Sequence, residues 1–222
     1  MVAAAQHAGR DANTITLMAV SKTFPVEAIR EAYAAGIRVF GENRVQEFVG
    51  KMDSLRDLGE ARWHMIGHLQ SNKVGKAAEV FHAVDSVDSL KLAEKLDDAA
   101  KSAGKKLAIL IEVNVGGEAA KSGVGPETAE LDSLLSAASR LEHLEIRGLM
   151  TIPPYTEDLQ AARPYFRKLR ELRDRIAARN WGGVSMETLS MGMSHDFEIA
   201  IEEGSTCVRV GTAIFGTRPP KL

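Results

Sequence analysis

Two separated stretches of the sequence carry residues suited to complementary chemistry. Lys22 closes an apolar, β-branched run, Ile15–Ser21 (ITLMAVS). Strand alternation places Lys22 on the same face as Met18 and Val20. If that face points inward, partial desolvation lowers the ammonium pKa. The neutral amine is the form that attacks a carbonyl carbon and forms a Schiff base. A solvated strand-end lysine is the bland alternative. Near the other end of the chain stand Ser194, Gly211 and Thr212. Hydroxyls and unpaired backbone N–H groups at the start of short helices attract a phosphate, and Gly211 permits close backbone approach. Ordinary turn glycines and a serine helix cap account for the same residues equally well.

Arg209 precedes Gly211 by one full strand alternation and shares a side with Gly211 and Cys207. An inward arginine is costly unless paired. It either forms a structural salt bridge, with Glu112 as a candidate partner, or donates to a ligand's ring nitrogen. Asn43 follows Gly41-Glu42 and reads either as a donor to a ligand oxygen or as a helix cap. His64 is as readily a hydrogen-bonded core residue as a ligand contact. Glu112 and Asn114 share a face, and buried polar groups need partners. Lys121 lies in the loop that follows.

These residues sit at the ends of short apolar runs that alternate with longer helical stretches. The expected strands are Ile15–Ser21, Arg38–Gly41, Trp63–Gly67, Val80–Val84, Leu107–Val115, Leu144–Met150, Thr188–Met191 and Cys207–Val210. Helices are expected after Pro25, over Val45–Leu58, Ser71–Ala78 and Ser89–Ala103, after Pro126, over Leu159–Arg179 and over His195–Glu203. The order predicts an α/β fold, a single TIM-type (β/α)8 barrel in one domain over residues 1–222. A doubly wound open sheet is the runner-up. In either fold the functional residues belong at the C-terminal strand ends.

Composition narrows the function classes. Hydrophobic residues make up 45% and charged residues 26%, with a formal net charge of −2. No basic excess points to nucleic acid. No apolar stretch reaches the roughly 20 residues of a membrane helix, and the N-terminus lacks a signal-peptide pattern. One cysteine, Cys207, allows neither an internal disulfide nor a cysteine metal site, and its apolar setting predicts a buried thiol. A cytoplasmic location is expected, with no metal and no membrane partner.

The segments AVSKTFP (19–25), FGENRVQE (40–47), WHMIGHLQSNK (63–73), VDS (84–86), NVGGEAAKSGV (114–124), GLMTIPP (148–154), SMGMSHDFEIAI (190–201) and GSTCVRVGTAIFG (204–216) together resemble the pyridoxal phosphate homeostasis protein family. Its fold is that of the N-terminal barrel domain of alanine racemase. The resemblance runs through nearly the whole chain. It implies that pyridoxal 5'-phosphate (PLP) is held as a Schiff base on Lys22. It implies that Asn43 lies near the phenolic oxygen, that Met150 packs in the pocket, and that Ser194, Gly211 and Thr212 bind the phosphate. Arg209 is implied to face the pyridine nitrogen. A permanent cation there disfavours a ring proton, which weakens the ring as an electron sink.

Racemases of this fold carry a second domain that supplies an opposing base, whereas this sequence stops at Leu222. The expectation is therefore PLP holding in vitamin B6 homeostasis without robust turnover, with delivery to PLP-dependent apo-enzymes as a partner role, and a monomer. The few residues before Ala8-Gly9-Arg10 fit either a truncated start or a short cap. A PLP-dependent amino-acid racemase is the alternative reading, and a barrel binding some other phosphorylated ligand is the third.

Overall fold

The computed structural model describes residues 1–118 and 121–217. Eight strands close into a barrel in sequence order, each parallel to its neighbours, with β8 returning to β1. They are β1 (Thr16–Val20), β2 (Val39–Glu42), β3 (Arg62–Met65), β4 (Ala83–Val87), β5 (Leu107–Glu112), β6 (Leu144–Met150), β7 (Val184–Met193) and β8 (Cys207–Val210). The helices are α1 (Val2–His7), α2 (Val26–Ala34), α3 (Val45–Met52), α4 (Val74–Val80), α5 (Leu90–Ser102), α6 (Ala129–Ala137), α7 (Arg163–Ala178), α8 (Phe197–Glu202) and α9 (Thr212–Phe215). This is the barrel rather than the open sheet. The segment 114–124 and the C-terminal end of the chain each include residues outside those described.

Period-two burial separates two cores. Ala19 belongs to the large apolar layer between the strands and the helices. Met18 belongs to a small interior cluster with Ile66 and Cys207, against which Val20 packs. The outer layer includes an aromatic stack, with Phe40 on Trp63 at 4.9 Å and Phe48 between Trp63 (4.8 Å) and Phe81 (4.9 Å). Burying rings of this size is a principal source of stability in such a layer.

Several elements differ from expectation, β4 and β7 among them. The fourth strand was expected at Val80–Val84 but runs over Ala83–Val87. Val80 completes α4 and Phe81 turns the chain with its ring buried. A short apolar run spanning a helix end and a strand start carries no period that separates them. The seventh strand extends from Val184 to Met193, beyond Thr188–Met191, with register shifts against β8. α1 was not foreseen as an element. It packs through Ala5 beside Ile201 and Val208. No helix among the described residues is long and apolar enough to cross a membrane.

Candidate functional site

A cavity of about 300 Å³ opens at the C-terminal mouth of the barrel. Its lining brings together Lys22, Asn43, Ser194, Arg209, Gly211 and Thr212 from the ends of β1, β2, β7 and β8. Val20, Ile66, Ile152, Tyr155, Met193 and His195 complete the wall. Met150, also expected here, is fully buried at the end of β6 and is not part of the lining.

The turn that carries Lys22 is held from below by a buried polar network. The Ser21 hydroxyl donates to Glu42 Oε1 at 2.8 Å. Lys51 Nζ donates to the Ser21 carbonyl at 3.2 Å, to Glu42 at 3.3 Å and to Glu47 at 2.7 Å. Glu47 in turn accepts the Thr23 N–H at 2.5 Å. Thr23 stands at φ +67, a strained conformation for a β-branched residue, so this bond fixes the backbone immediately after Lys22. Burial raises the Glu42 carboxyl above its ordinary pKa, against the opposing pull of Lys51 and Ser21. Lys22 itself is partly buried.

Arg209 is fully enclosed at 4% exposure. The salt bridge to Glu112, one of the two alternatives for Arg209, does not form. Instead Nη1 donates to the Ser190 hydroxyl at 2.7 Å and Nη2 to the Thr151 carbonyl at 2.7 Å. Neutral acceptors thus fix the guanidinium plane without cancelling its charge. Burial lowers its pKa, while Cys207, Asp85 and Glu112 act in the opposite sense. Glu112 is pushed up to about 7, first by burial and then by Asp88, against Arg209 and His68. Burial also pushes the Cys207 thiol up to about 12, so it is an inert core group, as expected.

The anion-binding elements converge from β7 and β8. The Gly211 N–H donates to Ser194 Oγ at 3.1 Å, and Thr212 opens α9. Ser194 is not the helix cap, because that position before α8 is Asp196. A Cβ built on Gly211 would meet only Val20, at 3.6 and 3.7 Å, which is ordinary contact. Protein packing therefore does not demand glycine there, and the space it leaves belongs to the cavity. Asn43 likewise is not a cap, since Arg44 occupies that position before α3. Its backbone is wedged against Gly67, where a Cβ would lie 2.5 Å from the Asn43 carbonyl oxygen.

Two candidates lie elsewhere. Lys121 pairs with Glu118 in the loop after β5 and does not line the cavity. His64 points toward the opposite end of the barrel, where Nδ1 sits 3.1 Å from both Asp85 oxygens. The supporting residues Ser190, Thr151, Glu47 and Lys51 were not singled out from the sequence, since no local pattern distinguishes them.

The sequence matches the family described as "Alanine racemase, N-terminal domain" over residues 3–219. It is 49% identical over 215 residues to the pyridoxal phosphate homeostasis protein of Aquifex aeolicus strain VF5, covering 97% of this chain and 92% of that protein. The chain belongs to the pyridoxal phosphate homeostasis protein family. The family member of Escherichia coli K12 is 45% identical over 219 residues, covering 97% and 91% of the two chains. Among solved structures, PipY of Synechococcus elongatus PCC7942 with PLP bound has a TM-score of 0.85 at 40% identity, covering 96% of this chain and 97% of PipY. An alanine racemase of Clostridium difficile 630 shares the fold, with a TM-score of 0.73 at 17% identity, covering 99% of this chain and 56% of the racemase.

Proposed function

We propose that this chain holds PLP as a Schiff base on Lys22 and serves in intracellular vitamin B6 homeostasis. The observation that carries this reading is a single cavity lined by a lysine, a buried arginine and a Ser-Gly-Thr anion cradle. PLP supplies an aldehyde, a phosphate and a ring nitrogen. Lys22 presents the amine, on a turn that Glu47 and Lys51 keep in place. Ser194, Gly211 and Thr212 grip the phosphate through hydroxyls and backbone N–H groups at the start of α9. Asn43 donates to the phenolic oxygen, and Met150 supports the wall from behind, at the end of β6. Arg209 keeps a proton off the ring nitrogen, because its guanidinium is permanently charged and is held by Ser190 and Thr151. With PLP bound, a cation at that position would weaken the ring as an electron sink, which favours holding and releasing the cofactor, including to apo-enzymes, over transforming amino acids.

Addition of PLP to the purified chain is expected to produce a protein-bound visible absorption band that Lys22→Ala lacks. No band in the parent chain would remove the proposal. The racemase reading draws on a different observation. Tyr155 and His195 both line the cavity with ring centroids 5.2 Å apart, and either side chain is able to carry a proton. Incubation with L-amino acids in deuterated water separates the readings. Cα exchange no faster than with free PLP is expected, and exchange at enzymic rates would establish the racemase.

A further inference from the structure

A second cavity, about 540 Å³, is at the other end of the barrel. TIM-type barrels ordinarily fill their interior with bulky branched side chains. Here Thr16, Ala83, Ala108 and Cys207 are small, and the lower interior is left open. Two polar features face this space. The first is the His64–Asp85 pair. Asp85 is 1% exposed on its side chain, whereas His64 retains 24%, so the carboxylate is sealed and the imidazole keeps an accessible edge. With Nδ1–H donated to the carboxylate, Nε2 is left as an acceptor. The second is Arg62, exposed at the rim. It precedes His64 by one strand alternation, about 6.6 Å.

The other charges at this mouth are already matched. Arg147 pairs with Glu187 at 3.1 Å. His82 is held neutral, since burial with Arg62 and Lys105 nearby lowers it to about 4, and its Nδ1 accepts the Trp63 N–H at 3.1 Å. No hydrogen bond or ion pair joins the Arg62 guanidinium to another side chain among the described residues, so it is the cation left for an incoming anion. The lining also carries apolar side chains, Val39 and Leu110.

We propose that the N-terminal mouth is a second small-molecule site, for an organic acid with a carboxylate at one end of a short apolar body and a hydroxyl at the other. The carboxylate meets Arg62, the body lies on Val39 and Leu110, and the hydroxyl donates to His64. The site is independent of the one that contains Lys22.

The test uses the full chain with labelled histidine and follows the His64 ring resonances by NMR, assigned with His64→Gln. The probe is 4-hydroxybenzoate, with benzoate and 4-hydroxybenzyl alcohol each lacking one of the two polar groups. A saturable His64 shift with 4-hydroxybenzoate is expected, at least about tenfold weaker with either truncated probe, the loss of one good polar contact. Arg62→Ala should weaken 4-hydroxybenzoate to a similar degree, while its circular dichroism spectrum matches that of the parent. PLP-loaded and PLP-free protein should respond alike. No saturable shift at millimolar probe, a shift indifferent to Arg62→Ala, or a shift abolished by PLP loading would overturn the proposal.

Discussion

The two mouths of the barrel handle buried charge in opposite ways. At the C-terminal mouth an enclosed cation, Arg209, is fixed by a hydroxyl and a carbonyl that leave it uncancelled. At the N-terminal mouth it is a carboxylate, Asp85, fixed by the imidazole of His64. Lys22 and the Ser194–Gly211 contact are at the first mouth only. One closed sheet therefore offers two chemically distinct ends. The C-terminal strand ends bring Lys22, Ser194 and the Gly211-Thr212 turn to one cavity, whereas the N-terminal ends present Thr16, Arg62 and His82 to the other. An anionic cofactor that must also be bonded to an amine is matched by the first mouth and not by the second.

The largest effect should come from removing the uncancelled cation. Arg209→Met leaves the Ser190 and Thr151 acceptors buried without their donor, at about 1–3 kcal/mol each. Urea denaturation should show a loss on the order of 4 kcal/mol, and PLP retention should fall as well. An Arg209→Met chain as stable as the parent would show that the guanidinium is not held as described.

Glu112 and His82 give the two mouths opposite pH signatures. The Glu112 carboxyl is near 7 in the folded chain, above its unfolded value. The native state therefore binds the extra proton, and stability from this group is lost as pH rises from about 4.5 through 7. Glu112→Gln should flatten that limb, by no more than about 3 kcal/mol, in denaturation measured across pH.

Gly211→Ala isolates ligand approach from packing. The added methyl meets only Val20 at ordinary contact, so the thermal midpoint should hardly move. PLP affinity should drop by about tenfold, the equivalent of one weakened charge-assisted contact. Equal affinity would place the phosphate elsewhere.

The smallest effect belongs to His82, depressed to about 4. Its folded pKa lies below the unfolded one, so stability is lost as pH falls from about 6.5 toward 4. The residue is exposed at the rim, and solvent screening keeps the contribution below about 1 kcal/mol. His82→Asn should soften the acid limb and leave the Glu112 limb intact.

Much of the C-terminal mouth was legible in the sequence. Lys22, Asn43, Arg209 and Gly211 each end a run whose alternation fixes the side they face, and parallel α/β folds place function at those ends. The contacts that support them were not legible. Ser190 and Thr151 meet Arg209 across 19 and 58 residues of chain, and Lys51 reaches back 30 residues to Ser21. Such distances have no local signature. The open N-terminal mouth was invisible for another reason: Ala83, Ala108 and Cys207 read as ordinary core residues one at a time, and only closure of the sheet shows that together they underfill it. The fourth strand slipped because Val80 and Val84 belong to one apolar run that the fold divides between a helix and a strand.

The central claim is that the Lys22 amine carries PLP. Borohydride reduction of the PLP-treated chain followed by peptide mass spectrometry tests it directly. The account requires a pyridoxyl adduct on the peptide containing Lys22 and its disappearance in Lys22→Ala. An unmodified Lys22, or an adduct confined to another lysine, would contradict it.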